Sequence, residues 1–432
     1  MMLQTDATNA EQRVRWFTHD RLGMFIHWGI YAAAARHEWV RNHERITNEA
    51  YQRYFDHFDP DLYDPREWAR MAKQAGMKYA VITAKHHDGF CLWDTALTDY
   101  KATKTPYGRD LLRPWVEAFR AEGLKVGFYY SLLDWYHPEF PIDGIHPQRD
   151  DLAFREQNKH RDMAKYREYM YGQVRELLTN YGKIDIIWFD FSYSHEDWGW
   201  SKGKGREDWQ SEKLIQLVRE LQPDILINNR LEMPEEADFD TPEQIQPREW
   251  VTINGRRVVW EACQTLNGSW GYHRDNQNWK TPDVLVRMLI DTVSNGGNLL
   301  LNVGPNGRGE FEPRAVASLQ AIGEWMRLHS RSIYGATASE FKAPDNCRLT
   351  QRGNRLYLHI YSWPMGPLVL DGLLSKVEYA QFLHDASEVR FTGVAGQWGG
   401  AYIGGDEETL VLHVPALRPN VLIPVVELFL KE

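Results

Sequence analysis

Seven short apolar runs, separated by amphipathic stretches of helical period, dominate this chain up to about His329. They are Gly23–Trp28, Tyr79–Ala84, Lys125–Leu132, Ile184–Asp190, Asp224–Asn228, Val258–Trp260 and Asn298–Val303. Most are continuous rather than alternating in polarity. Strands read that way when both faces are covered, as in a parallel sheet wrapped by helices. The helices between them carry readable ends. Asp64-Pro65 supplies a cap and a first-turn proline, and Gly76 supplies a stop. Residues 161–181 form a second long helix, ended by Gly182, and further helices fit Glu212–Leu221, Pro282–Ser294 and Pro313–His329. Strand-helix alternation over this length predicts an α/β fold, a (β/α)8-like barrel spanning residues 1–335. Seven strands are placed directly; the eighth is inferred from closure.

After about Tyr334 the pattern changes. Short runs at Leu356–Ser362, Leu368–Leu370, Val377–Phe382, Val389–Phe391, Leu410–Val414 and Val421–Leu430 are punctuated by Gly and Pro. They predict a C-terminal β-sandwich over residues 336–432.

The bulk numbers exclude several classes. A net charge of −10 with both signs interspersed argues against a nucleic-acid partner or a basic membrane-surface protein. No stretch approaches the ~18 continuous apolar residues of a membrane span. Cys91, Cys263 and Cys347 have no paired spacing, so neither a disulfide framework nor a zinc knuckle is expected. The first residues lack a basic segment followed by an apolar run, which leads to the expectation of a cytoplasmic protein. The 18 Trp residues are the outlier. Flat sugar rings are one ligand that uses such surface; a large barrel core is another.

In a parallel barrel the chemistry sits at the C-terminal ends of the strands. Those ends read His27-Trp28, His86-His87-Asp88, Tyr129-Tyr130, Trp188-Phe189-Asp190 and Asn228-Asn229-Arg230, with Glu243 and Glu261 following. Two chemistries can use this set. Metal-assisted hydrolysis would take His27, His86, His87, Asp88 and Asp190 as ligands. Adjacent histidines point to opposite sides of a strand, so both could ligate only across a bulge or bend. Glycoside hydrolysis needs two carboxylates flanking a sugar, with histidines, an arginine and aromatics holding the ring. Only the second uses the Trp and Tyr content.

The motifs are Arg21-Leu22-Gly23-Met24-Phe25-Ile26-His27-Trp28-Gly29, Glu38-Trp39, Lys78 through Lys85-His86-His87-Asp88-Gly89-Phe90, Trp188-Phe189-Asp190, Trp260-Glu261-Ala262-Cys263, Ser269-Trp270-Gly271-Tyr272 and Asn295 through Pro305. On these residues, about 10–335, the chain resembles glycoside hydrolase family 29, the α-L-fucosidases. The resemblance implies a catalytic barrel followed by a β-sandwich. It implies retaining hydrolysis of terminal α-L-fucose from fucosylated oligosaccharides or glycoconjugates, without metal or organic cofactor.

Residue by residue, Asp190 matches the family nucleophile. His27, His86 and His87 match fucose-binding histidines, Glu38 and Trp39 a motif of the same pocket, and Arg230 an arginine near the nucleophile. The acid/base is open between two candidates. Glu243 is preferred, because the stretch from Arg230 to Thr241-Pro242-Glu243 resembles the family's acid/base loop and is long enough to fold over the cleft; Glu261 is the alternative. Tyr129 is chosen over its neighbour Tyr130 to face the cleft, and Trp188 and Trp270 are candidates for apolar contact with the sugar. A glycosidase for a related sugar such as α-L-galactose, or a metal-dependent hydrolase on the same barrel, are the alternative functions. The loops 136–160 and 193–210 follow no motif; they are candidates for shaping a leaving-group subsite or for contacting a second subunit in a homo-oligomer.

Overall fold

The computed structural model describes residues 2–394 and 404–431. Its centre is a curled parallel sheet. The strands are β1 Leu22–Ile26, β2 Tyr79–Lys85, β3 Lys125–Ser131, β4 Ile186–Asp190 and β5 Leu226–Ile227. A small hairpin follows, β6 Thr252–Ile253 with β7 Arg256–Arg257, then β8 Glu261–Thr265 and β9 Asn298–Val303. The sheet order is β5-β4-β3-β2-β1-β9-β8. Every residue of β1, β2, β4, β8 and β9 is buried; for β1, β2, β4 and β9 this is why the segments read as largely apolar runs, whereas β8 is buried but mostly polar.

Two expectations are corrected at the seam between β5 and β8. The strand expected at Val258–Trp260 begins only at Glu261. The segment 238–244, expected as part of a loop over the cleft, instead closes the barrel. Asn228 bridges Phe239, Asp240 bridges Trp260 and Glu243 bridges Cys263, all in parallel sense. The Asp238 amide donates to the Ile227 carbonyl, and the Glu261, Cys263 and Gln244 amides close the other side. Pro242 has no N–H to give, so this stave stays too irregular for a full ladder.

Alternate residues fill the interior. Phe25, Val81, Tyr129, Trp188, Cys263 and Leu300 belong to one buried cluster, stopped at the lower end by Phe17 and Phe239. Side chains on the other face of the strands pack against the helices. One of these, Pro65–Gln74, starts where the Asp64 carboxylate accepts the Arg66 amide at 2.9 Å, and the chain turns away at Gly76 with φ +84°. Met163–Asn180 is capped in the same way by Asp162. Among the described residues no helix is long and apolar enough to cross a membrane.

The C-terminal part is antiparallel. Strands β10 Thr337–Ala338, β11 Cys347–Arg352, β12 Arg355–Ile360, β17 Val425–Leu430 and β14 Val377–Phe382 pair in that order. Strands β13 Leu368–Leu370, β16 Leu410–His413 and β15 Arg390–Gly393 form a second sheet, and both sheets contribute to one apolar cluster. Residues 395–403 of the expected sandwich lie outside the described residues. The unit is joined to the barrel by Trp325, whose Nε1 donates to the Ile423 carbonyl at 2.9 Å.

Candidate active site

The C-terminal strand ends open on a pocket of about 310 Å³. Ten of the residues singled out in the sequence line it: His27, Glu38, Trp39, His86, His87, Tyr129, Trp188, Asp190, Glu243 and Trp270. Arg230 is not in the lining but ties two of them together. Its Nη1 donates to Asp190 Oδ1 at 3.0 Å and its Nη2 to Glu243 Oε2 at 2.9 Å. Thr241 fixes the guanidinium from the side, accepting from Nε at 2.7 Å. The Trp188 ring lies 5.0 Å beneath it, at cation–π distance.

The two carboxylates differ in environment. Asp190 ends a buried strand and its side chain is 12% exposed, against 43% for Glu243. Tyr129 donates its hydroxyl to Asp190 Oδ2 at 2.6 Å. Burial lifts the Asp190 carboxyl to about 6; the Arg230 charge opposes that lift and the Glu243 charge adds to it. A nucleophile must be ionised, so kcat/KM should fall as pH drops through about 6. A pH–rate profile on a substrate whose leaving group needs no proton isolates this limb, and a rate flat across that region would contradict it.

The remaining choices resolve by direction. Tyr130 points outward, donating to Gln173 at 2.7 Å, so Tyr129 is the tyrosine of the cleft. Glu261 is fully buried at the first residue of β8, the end of the strand away from the mouth. It accepts from the Tyr79 hydroxyl and from Trp188 Nε1, which makes it a support under the pocket floor, its carboxyl lifted to about 7 by burial.

Both adjacent histidines reach the pocket because β2 carries a bulge. Thr83 pairs with Tyr129 but Lys85 with Tyr130, leaving Ala84 as the extra residue. Lys85 then turns outward into an ion pair with Asp134 at 3.1 Å, and His86 and His87 follow beyond the strand end with ring centroids 4.0 Å apart.

The imidazole tautomers follow from their partners. Asn302 uses its amide group on the Trp270 carbonyl, so its oxygen accepts from His27 Nδ1–H at 2.7 Å. Ser131 donates to the Leu133 carbonyl and accepts from His87 Nδ1–H at 2.7 Å. Each ring thus offers a bare Nε2 to a ligand hydroxyl. Burial holds both well below the usual histidine range, so they stay neutral. Glu38 Oε2 accepts the Gly271 amide at 2.7 Å and Oε1 lies 3.2 Å from His37 Nδ1, while His86 Nδ1 is buried without a hydrogen-bond partner. Such an orphaned atom in a cleft awaits a polar ligand.

Sequence reading missed Phe25, His37, His43, Phe191, Gln244 and Cys263 in the lining. Phe25 and Cys263 were recoverable from strand alternation. His37, Phe191 and Gln244 carry a backbone signal only the structure gives. Their φ values are +89°, +81° and +51°, unusual for side chains of this size, and each sits beside a pocket carboxylate. Among the described residues, no three His, Cys, Asp or Glu side chains form a metal-holding group.

Comparison with known proteins follows the same line. The family model described as "Alpha-L-fucosidase" matches residues 2–331. A solved α-L-fucosidase isoenzyme 1 from Paenibacillus thiaminolyticus is 48% identical and superposes with a TM-score of 0.91, covering 98% of this chain and 100% of that one. A Bacteroides thetaiotaomicron α-L-fucosidase, solved as a trapped covalent intermediate with 2-fluoro-fucosyl fluoride, is 28% identical with a TM-score of 0.82, covering 98% and 96%. The tissue α-L-fucosidase of Rattus norvegicus is 27% identical over 94% of this chain and 87% of its own length. With a family model spanning the barrel and its site, the chain belongs to the α-L-fucosidases of glycoside hydrolase family 29.

Proposed function

We propose that this pocket removes terminal α-L-fucose from fucosylated oligosaccharides or glycoconjugates by double displacement. The observation that carries the reading is the pair Asp190 and Glu243 on one guanidinium, one carboxylate buried on a rigid strand and the other open to solvent. Asp190 attacks the anomeric carbon while Glu243 gives its proton to the departing glycosidic oxygen. The C1–O bond to the leaving group breaks and an ester bond to Asp190 forms. Glu243, now a carboxylate, takes a proton from water as the water attacks C1, and Asp190 leaves with its electron pair. His27, His87 and Glu38 hold ring hydroxyls through the bare Nε2 atoms and the Glu38 carboxylate. Phe25 and Trp270 give the C6 methyl an apolar wall. An apolar wall alone discriminates weakly against a hydroxymethyl, so α-L-galactosides are the competing substrates to measure.

The test is NMR of the first product formed. The α-anomer of fucose should appear first and mutarotate afterwards. Initial β-fucose would mean single displacement. Hydrolysis of α-L-galactosides with none of α-L-fucosides would reassign the sugar.

A further inference from the structure

The floor of the pocket and its rim are built from different residues. His37, Trp39, His43, Phe191, Glu243 and Gln244 line it yet reach solvent. The volume of about 310 Å³, which takes in floor and rim together, lies at the low end of the roughly 300–1,000 Å³ of small-molecule sites. The proton donor must come within about 2.6–3.2 Å of the glycosidic oxygen. That oxygen departs with the leaving group, which therefore emerges past Glu243 and lies along the rim.

A shelf stands there. Glu243 is near enough to the His37-Glu38-Trp39 segment for its charge to add to the lift on the Glu38 carboxyl. The exposed His43 ring is stacked on Trp39 at 6.1 Å and 29°, and lies 5.4 Å from His37. Trp39 is itself braced edge-on by His87 and Trp135. His37 Nδ1 accepts the Trp39 amide at 3.1 Å and lies 3.2 Å from Glu38 Oε1, so Nδ1 is engaged by the protein and Nε2–H is the donor left for a ligand. The fucosyl chemistry above uses His43 not at all, and His37 only through its 3.2 Å contact with Glu38 Oε1, an effect that would be felt equally on every fucosyl substrate.

We propose that His37 and His43 form the subsite for the leaving-group sugar. A pyranose would rest its apolar C–H face on the His43–Trp39 shelf and accept a hydrogen bond from His37 Nε2–H through a hydroxyl. This rests on the reading that the floor holds a fucosyl ring.

The experiment compares His43→Ala and His37→Gly with the parent enzyme on a panel of fucosyl disaccharides and on α-L-fucosyl fluoride. Fluoride is a leaving group with no ring to bind. Glycine suits the positive φ at residue 37, and thermal melting reports that both variants fold. On the best disaccharide, kcat/KM should fall about tenfold more than on the fluoride, mainly through a raised KM. Transfer from the fluoride to a sugar acceptor should fall in parallel. Equal losses on both substrates, no loss on either, or a loss confined to kcat would each overturn the subsite; the last would mean action through Glu243. A parent enzyme that cleaves neither substrate would overturn the fucosidase reading itself.

Discussion

Asp190→Gly should lower turnover of an aryl α-L-fucoside on the order of 10⁴-fold or more, with the fold retained. The loss is large because the substitution deletes the atom that forms the covalent bond, and nothing else in the pocket can replace it. Tyr129 is pinned by burial and His87 is a neutral imidazole. The fold survives because Arg230 keeps Glu243 and Thr241 as partners. Glycine at a strand end costs only about 0.5–1 kcal/mol. The space vacated by the carboxylate lies on the face of the sugar opposite the leaving group. Azide entering there should restore turnover and yield fucosyl azide of β configuration. Turnover close to parental, or an α-configured azide, would remove Asp190 from the nucleophile role.

The second large effect separates two glutamates. Glu243→Ala should cost on the order of 10²–10⁴ in rate on natural linkages and far less on fucosyl fluoride, whose leaving group needs no proton. Glu261→Gln should stay within a few fold of the parent on both. Glutamine keeps an acceptor for the Tyr79 hydroxyl and resembles the protonated form favoured by burial. Glu261→Ala should instead lower stability, since it strands the Tyr79 hydroxyl and Trp188 Nε1, each costing roughly 1–3 kcal/mol if left unpaired. Steady-state kinetics on both substrates with thermal melting of all three variants decides the matter. A Glu261→Gln enzyme that loses the natural substrate while Glu243→Ala keeps it would reverse the assignment.

What was legible in the sequence follows burial. Asp190 could be read because four apolar residues, Ile186 to Phe189, precede it on a strand covered on both faces. Tyr129 was separable from Tyr130 only as a choice of side, which hydrogen bonding decided. The stave carrying Glu243 was illegible. It contains one large apolar residue, Phe239, and a proline, and it is held by backbone bonds to neighbours on both sides, which leave no trace in side-chain pattern. His37 precedes, and His43 ends, the one-turn helix Val40–His43 after β1, too short for any periodicity to set them apart. Strand β11 escaped for a related reason: Thr350 is buried among its polar residues, bonded to the Ser332 carbonyl and His359, and so blurs the alternation.

The irregular stave has a consequence for how activity is lost on warming. Short, proline-interrupted segments open before full ladders do, and local opening need not await global unfolding. Fraying of residues 238–244 would carry Glu243 away from Asp190 while β4 stays seated in the sheet. A partly opened molecule would then still cleave fluorides and other activated fucosides, yet fail on glycans. Heat inactivation judged with an artificial chromogenic substrate would overstate the range in which this enzyme can work on its natural ones.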